Sequence, residues 1–414
     1  MNVSFHGAQE ILRPPRDRLA FLRGADVAGQ SLIGGGLSVK AGTIAALDPD
    51  PGADLQVDAR GCALVPGFVD CHTHLPFAGW REDEYQRKLR GEGYEAITRD
   101  GGGIAASARA LADSDDAAVL GQAAALAAEM LRAGTTTFEC KSGYGLSRDG
   151  ELRTLRLARE LEARVAQTSV STALLAHAVP PGFSAQSWLE VVQQMMPEVL
   201  SLGTVSALDI FVDAVAFSNA ELETMGAVAA AAGLALRCHV EQFGGYRSVP
   251  VALAVGARSV DHLSTLHPDD VAPLAAADCA AVLLPAAEFL GAERRAPGRD
   301  LLDAGALVVL ATDLNPGTAP VTSMPLVIGL GARLYGMSAL ETLAAVTLNA
   351  AWVLGLESTL GSIEPGKRAD LLLLDCPVAQ IAYRLGRDPV LATFVGGEPV
   401  YVRDAWAAAR ISGR

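Results

Sequence analysis

The chain has 414 residues, half of them hydrophobic, with 42 glycines and a formal net charge of −14. That length admits more than one domain, and the composition suits a well-buried α/β protein, which excludes a disordered or fibrous chain. The acidic balance argues against nucleic acid or an anionic membrane as the main partner.

The N-terminus lacks the basic segment and apolar core of a signal peptide, and no uninterrupted apolar run could span a bilayer. The six cysteines (Cys62, Cys71, Cys140, Cys238, Cys279 and Cys376) are scattered without a CxxC pair. They read as reduced thiols, so a cytoplasmic protein is expected.

Residues 1–63 contain short β-like pieces broken by turns at Gly34-Gly35-Gly36, Lys40-Ala41-Gly42 and Asp48-Pro49-Asp50-Pro51-Gly52. From Gly361 onward the chain again reads as strands and turns. A small composite β-sandwich of residues 1–63 and 361–414 is therefore expected to flank a central domain, residues 64–360, with the two termini close together.

The central stretch repeats one unit: a helix-like run ends at a glycine, and a short apolar strand follows and stops at a polar residue. The unit recurs in AEMLRAG–TTTFECK, AVAAAAG–LALRCHVE, LAVG–ARSVDHL and LLDAG–ALVVLATD. Gly134, Gly233, Gly256 and Gly305 stand where a helix ends in a left-handed residue, and Ser114 and Ser218 or Asn219 fit N-caps. With further strands at Thr168–Ala176, Ala207–Asp213 and Ala280–Pro285, and an opening strand at Val65–His74, the count reaches eight. Eight βα units predict a (β/α)8 barrel, whose parallel strands all end on the face where such folds place their active sites.

The opening strand ends in Cys71-His72-Thr73-His74. Alternation along a strand puts His72 and His74 on one side and Thr73 on the other. An isolated His-x-His fits the start of a loop as well as half a metal site. The rest of the chain shifts the balance, because five of its seven histidines (His72, His74, His177, His239 and His262) fall at predicted strand ends. Together His72, His74, His239 and Asp313 supply three imidazoles and a carboxylate, a set suited to one Zn²⁺ or iron ion with a position left open for water. No lysine lies on the fourth predicted strand, and Lys141 ends the second.

The order of His-x-His, single histidines on later strands and an Asp after the last strand resembles the amidohydrolase superfamily. Longer stretches are similar to the imidazolonepropionases within it: DCHTHLPFAGWREDEYQRKLRGEGYEAI, GGGI, GTTTFECKSGYGL, FVDAVAFS, SVDHL, LLPAAEFL and ATDLNPGTAP. This likeness runs from about Pro66 to Asp375. It implies hydrolysis of the cyclic amide of 4-imidazolone-5-propanoate to N-formimidoyl-L-glutamate, a step of histidine degradation, by a homodimer with one Zn²⁺ or Fe³⁺ per chain. The sequence itself carries no interface signal.

The resemblance gives the metal to His72, His74, His239 and Asp313, and the substrate to Arg81, Tyr94, Tyr144, His177, Gln242, Asn315, Gly317 and Thr318. Arg81 can grip a carboxylate bidentately, whereas without the family it would read as a solvated residue of a charged run. Tyr94 and Tyr144 offer phenol donors and aromatic walls, and Gly143 and Gly145 let a loop bend tightly around Tyr144. His177 can donate to a carboxylate or a ring oxygen, and Asn315, Gly317 and Thr318 can present side chains and backbone N–H groups to a ligand. Three residues after His239, where relatives carry Glu or Gln, this chain has Gln242, with Glu241 expected to face away. A Gln can hydrogen-bond the ring but cannot carry a proton, so proton transfer falls to His262 and Asp313. Deaminases of the superfamily use a Glu there, which favours ring opening over ammonia release.

Overall fold

The computed structural model describes residues 1–244, 246–291 and 294–413, with the side chains of Tyr94 and Glu95 outside that description. Eight parallel strands form one sheet in chain order: β1 (Phe68–Asp70), β2 (Thr135–Lys141), β3 (Thr168–Ala176), β4 (Val205–Val212), β5 (Ala235–Val240), β6 (Ser259–His262), β7 (Ala280–Leu283) and β8 (Leu307–Leu310). β8 and β1 share no ladder. The seam between them is closed by the Asp70 carboxylate, which accepts from Thr312 N (3.1 Å) and Thr312 Oγ1 (2.6 Å), and by His74 N donating to Leu314 O (2.9 Å). The result is the expected (β/α)8 barrel.

Local sequence accounts for the repeating units. β2, Thr-Thr-Thr-Phe-Glu-Cys-Lys, is rich in β-branched residues and buried throughout. The helix Asn219–Ala232 starts in a capping box of Ser218 and Glu221 and stops at Gly233, which is left-handed at φ 67°. Gly134, Gly256 and Gly305 share that conformation. Ser114 differs from expectation: it closes the helix Ile104–Asp113, its hydroxyl donating to Ala110 O, while Asp115 caps the helix Asp116–Arg132. A carboxylate accepts more strongly from a helix N-terminus than a hydroxyl does, so the adjacent Asp takes the role.

The two ends of the chain form a second sheet of nine strands. Val3–Arg13 pairs with Ser31–Lys40, with Leu55–Asp58 and with Ala63–Pro66, and Ala63–Pro66 in turn pairs antiparallel with Leu371–Leu374. Ile411–Gly413 lies against Leu55–Asp58, which brings the end of the described chain beside its beginning. Phe5, Leu37, Ile44, Leu64, Leu371, Leu373 and Phe394 build the core of this unit. Ala63, Val65, Leu372 and Leu374, at the alternate positions of the same two strands, pack instead with the barrel core. The Ala63–Pro66/Leu371–Leu374 pair is thus a wall common to both cores, which is why Leu371–Leu374 reads as an unbroken apolar run.

The expected opening strand Val65–His74 is in fact two. Ala63–Pro66 belongs to the end sheet and Phe68–Asp70 to the barrel, with Gly67 between them. A Cβ on Gly67 would stand 2.1 Å from Thr136 Oγ1 and 2.9 Å from Thr136 Cβ, so rotating that side chain would not relieve the clash. The chain can pass from one sheet to the other only with the backbone laid against β2. Gly67→Ala should therefore destabilise the fold by about 1–3 kcal/mol through overpacking. The check is a lower urea midpoint at unchanged slope.

Candidate active site

The barrel gathers five histidines at one end. His72 and His74 lie past the end of β1 rather than on it, held by Thr73 bridging to Leu314. His177 follows β3, His239 lies on β5, His262 ends β6 and Asp313 comes three residues after β8. All are buried. Ring centroids are 4.4 Å apart for His72–His239, 5.3 Å for His72–His74, 5.4 Å for His239–His262 and 5.2 Å for the stacked pair His74–His177. Asp313 Oδ1 lies 3.5 Å from His72 Nε2 and 3.3 Å from His74 Nε2. Glu241, His262 and Asp313 have positive φ (55°, 81° and 56°), so left-handed backbone in non-glycine residues concentrates at this end of the barrel.

The donors fit a metal ion. Two sets of three, His72/His239/His262 and His72/His74/Asp313, have ligand atoms within 4.8 Å of one another. His262 therefore stands among the donors, where the sequence had placed it only beside them. His72 Nδ1 is 2.6 Å from Asp261 Oδ2 and His239 Nδ1 is 3.1 Å from Asp209 Oδ1. Carboxylates at Nδ1 take its proton in a hydrogen bond, fix the tautomer and turn each Nε2 lone pair toward the cluster. His72 Nε2, His239 Nε2 and Asp313 Oδ2 are buried without a hydrogen-bond partner among the described residues. Burial first, then neighbouring cationic groups, hold His72 and His74 well below the usual imidazole range, and burial takes His262 to about 3. Neutral imidazoles are the form a metal needs.

Beneath the histidines runs a row of buried charge. Asp209 Oδ2 accepts from Lys141 Nζ (2.6 Å), Lys141 lies 3.0 Å from Glu139 Oε2, and Glu139 also pairs with Arg237. Arg237 donates onward to Thr172 Oγ1 (2.8 Å) and Val353 O (3.1 Å). Burial works against the Lys141 charge, but Asp209, Glu139 and Asp261 outweigh it and raise its pKa, so it stays an ammonium engaged on both sides. Asp209 and Asp261 were missed from sequence as site residues. A carboxylate inside a buried strand, as in Leu-Asp-Ile-Phe-Val, was the signal on offer.

Arg81, Tyr144, His177, Gln242, Asn315 and Thr318 line the cleft above the histidines, with Ile104, Phe211 and Phe243 as additional walls. Tyr94 lies outside the described side chains. Arg81 caps the helix Glu82–Leu89 and is 8% exposed, with Nε and Nη1 lacking hydrogen-bond partners among the described residues. Gly317 stands under its guanidinium: a Cβ there would lie 1.5 Å from Arg81 Nη2. Gly317 is thus the floor that admits Arg81.

Asn315 spends its side chain within its own loop. Its Oδ1 accepts from Gly317 N (2.8 Å) and Thr318 N (2.7 Å), and its Nδ2 donates to Asp313 O (2.7 Å). The expectation that the Gly317 and Thr318 amides face a ligand is corrected here, because both are bonded to Asn315. The loop carrying Tyr144 is tied by Glu151, whose carboxylate accepts from Gly143 N (2.8 Å), Gly145 N (2.7 Å) and Leu146 N (3.0 Å). His177 Nδ1 donates to Gly143 O (3.1 Å). The Glu241 carboxylate faces away as expected, accepting from Ser248 N (3.0 Å) and Val249 N (3.1 Å).

A family model described as "Amidohydrolase family" matches residues 63–400. An imidazolonepropionase of Rubrobacter xylanophilus is 45% identical over 84% of this chain and 84% of its own length. One from Xanthomonas axonopodis pv. citri is 41% identical over 86% and 88%. The chain belongs to the amidohydrolase family, among the imidazolonepropionases. It is a metal-dependent hydrolase. Solved structures share the amidohydrolase fold at low identity: an adenosine deaminase from Xanthomonas campestris with bound zinc (TM-score 0.70, 19% identity, 99% and 95% coverage) and a 5-methylcytosine deaminase from Klebsiella pneumoniae (0.73, 17%, 97% and 98%).

The tautomer control argued for His239 has a direct readout. Asp209→Asn keeps the shape of the side chain but removes the charge that holds Nδ1–H. It should weaken metal binding about 10–100-fold, measured by competition with a chelator.

Proposed function

We propose that this chain opens the ring of 4-imidazolone-5-propanoate with water to give N-formimidoyl-L-glutamate, its step in histidine degradation. The observation that carries the reading is Arg81: a buried guanidinium 3.5 Å from Glu84 Oε2 whose Nε and Nη1 still lack hydrogen-bond partners among the described residues, lining the same cleft as four of the five histidines and Asp313. Guanidinium donors left without hydrogen bonds suit a carboxylate, which can accept two of them at once, and the propionate of this substrate supplies one. The imidazolonepropionase relatives support the same chemistry.

His72, His74, His239 and Asp313 would hold one zinc or iron ion per chain, a number supported by the full engagement of Lys141 in ion pairs. When bound, such an ion lowers the pKa of a coordinated water toward about 7 and polarises a carbonyl. Arg81 takes the propionate, with Tyr144 and His177 walling the ring and Tyr94 assigned to the same ligand. Gln242 donates to and accepts from the ring, while Asn315, with Gly317 and Thr318, holds the loop that follows Asp313. Asp313 accepts the water proton; burial raises its pKa, which makes it a stronger base than an exposed carboxylate. His262, neutral near pH 7, orients the water or polarises the carbonyl. Water oxygen bonds to the ring carbonyl carbon, the ring C–N bond breaks, and the proton held by Asp313 passes to the departing nitrogen. The carbonyl becomes a second carboxylate.

Six cysteines without disulfide partners and the absence, among the described residues, of a helix long and apolar enough to cross a membrane support a cytoplasmic setting. A homodimer is part of the same proposal through the family resemblance alone.

Purified enzyme incubated with the imidazolone should lose the ring absorbance and yield formimidoylglutamate without free ammonia. Stoichiometric ammonia in the first turnover would move the assignment to a heterocycle deaminase. Arg81→Met should raise KM by the equivalent of about 2–5 kcal/mol while metal content stays at the wild-type level. Unchanged substrate affinity would remove Arg81 from the binding site.

A further inference from the structure

The LLPAAEFL stretch supplies no metal donor and, among the described residues, no wall of the cleft above the histidines. It does place a carboxylate, Glu288, 7% exposed, on the short helix Pro285–Phe289 that follows β7. Glu288 Oε1 accepts from Ser264 Oγ (2.9 Å) and Ala296 N (2.8 Å), and Oε2 accepts from the Tyr335 hydroxyl (2.7 Å). Arg295 adds a Coulombic attraction. Ser264 lies two residues past β6, Ala296 lies in the segment after β7, and Tyr335 ends the helix Met324–Tyr335 that follows β8. One buried side chain thus ties three consecutive crossovers at the end of the barrel that carries the histidines. Gly298 makes room for the third tie, since a Cβ there would stand 2.6 Å from Tyr335 Cβ.

His262 and Leu263, immediately before Ser264, have positive φ of 81° and 62°. Two successive left-handed residues with side chains persist only where the surroundings hold them. From the β5 side, Leu263 N donates to Val240 O (3.2 Å), while Thr265 N (2.8 Å) and Thr265 Oγ1 (2.9 Å) donate to Glu241 O. From the β7 side, the hold is the Ser264 hydroxyl on Glu288. His72 and His239 are oriented by carboxylates at their rings, whereas the backbone turn sets where the His262 imidazole stands.

We propose that Glu288 is a positioning residue for His262: through Ser264 it holds the left-handed turn that presents the imidazole to the reacting carbonyl. The inference rests on the ring-opening reading above for the part His262 plays. A glutamine can fill the same role uncharged, its oxygen accepting from Ser264 and Ala296 N while its amide donates to the Tyr335 oxygen.

The test uses the zinc-loaded full chain with Glu288→Leu, Glu288→Gln and Ser264→Ala, each alone and with His262→Asn. Glu288→Leu and Ser264→Ala should each lower kcat about tenfold with KM and zinc content unchanged, the pattern of one misplaced reacting group. Glu288→Gln should keep kcat within about twofold of wild type, since it keeps the acceptor for Ser264. Beside His262→Asn, Glu288→Leu should cost nothing further, because residues that act through one another are not additive. In protein carrying isotope-labelled histidine, the His262 ring signals in NMR are identified by their loss in His262→Asn. They should shift or broaden in Glu288→Leu and Ser264→Ala and keep their wild-type positions in Glu288→Gln.

A kcat loss that persists beside His262→Asn, an equal loss in Glu288→Gln, a loss of zinc, or unmoved His262 signals would make Glu288 purely structural and overturn the proposal. Should Glu288→Leu not fold, Ser264→Ala carries the same comparison. Wild type that turns over no imidazolone, while its His262 signals answer to Glu288→Leu, would defeat ring opening and keep the hold on His262. Turnover without that response would defeat Glu288 alone, and absence of both would defeat both.

Discussion

The hydrogen bonds from buried carboxylates to the far nitrogens of the histidines are the constraint on which the rest of the site depends. An imidazole in a barrel mouth can turn about two bonds and carry its proton on either nitrogen. Asp261 and Asp209 remove both freedoms for His72 and His239. Burying those carboxylates is costly, and Asp261, with burial dominant and Asp209 nearby, rises to about 7. Lys141 and Arg237 answer part of that cost, with Glu139 paired to both, so three carboxylates share two cations across β2, β4, β5 and β6. A row of ions in a barrel interior is poor material for stability and good material for fixing where four strands stand relative to one another.

The loops above that row are fixed by the same economy of acceptors. Asn315 closes the segment after β8 on itself, Glu151 gathers three amides of the Tyr144 loop, and Glu84 anchors the turn before Ile104. Asn315 and Glu151 each use one side chain to satisfy several backbone donors, and Glu84 satisfies one. Arg81 is the exception. Its Nε stands 3.5 Å from Glu84 Oε2, but Nε and Nη1 have no hydrogen-bond partner among the described residues and its floor is a glycine, so donors remain beside the cleft where the anionic end of a substrate would rest.

Much of this was legible in the sequence, for identifiable reasons. All eight barrel strands fall on apolar runs, seven of them stopping at polar residues and β7 running on into Leu284-Pro285, because parallel strands buried on both faces leave a strong compositional mark. The five clustered histidines were legible because histidine is scarce here. The break at Gly67 was not, since Ala63–Pro66 and Phe68–Asp70 are equally apolar and only the contact with Thr136 separates them. Asp209 and Asp261 were hidden because each sits next to residues that define an ordinary core strand, and the partner that gives each its meaning is 30 or 189 residues away. Local pattern reports which residues are buried; it does not report which nitrogen a buried carboxylate will find.

The wall common to the two cores also orders events during synthesis. Val3–Arg13, Ser31–Lys40 and Ala63–Pro66 leave the ribosome first, but the strand that covers the open edge of Ala63–Pro66 is Leu371–Leu374. At about 5–20 residues per second, that edge waits roughly 15–60 s for its partner. Throughout that interval an apolar strand with unpaired backbone groups stands available to any other nascent strand. The barrel meets a similar delay at one seam, where Asp70 at the end of β1 waits for Thr312, while its other strands pair with neighbours in sequence. Both units of the chain thus close late, and the edge of Ala63–Pro66 must stay unoccupied until Leu371–Leu374 has been made.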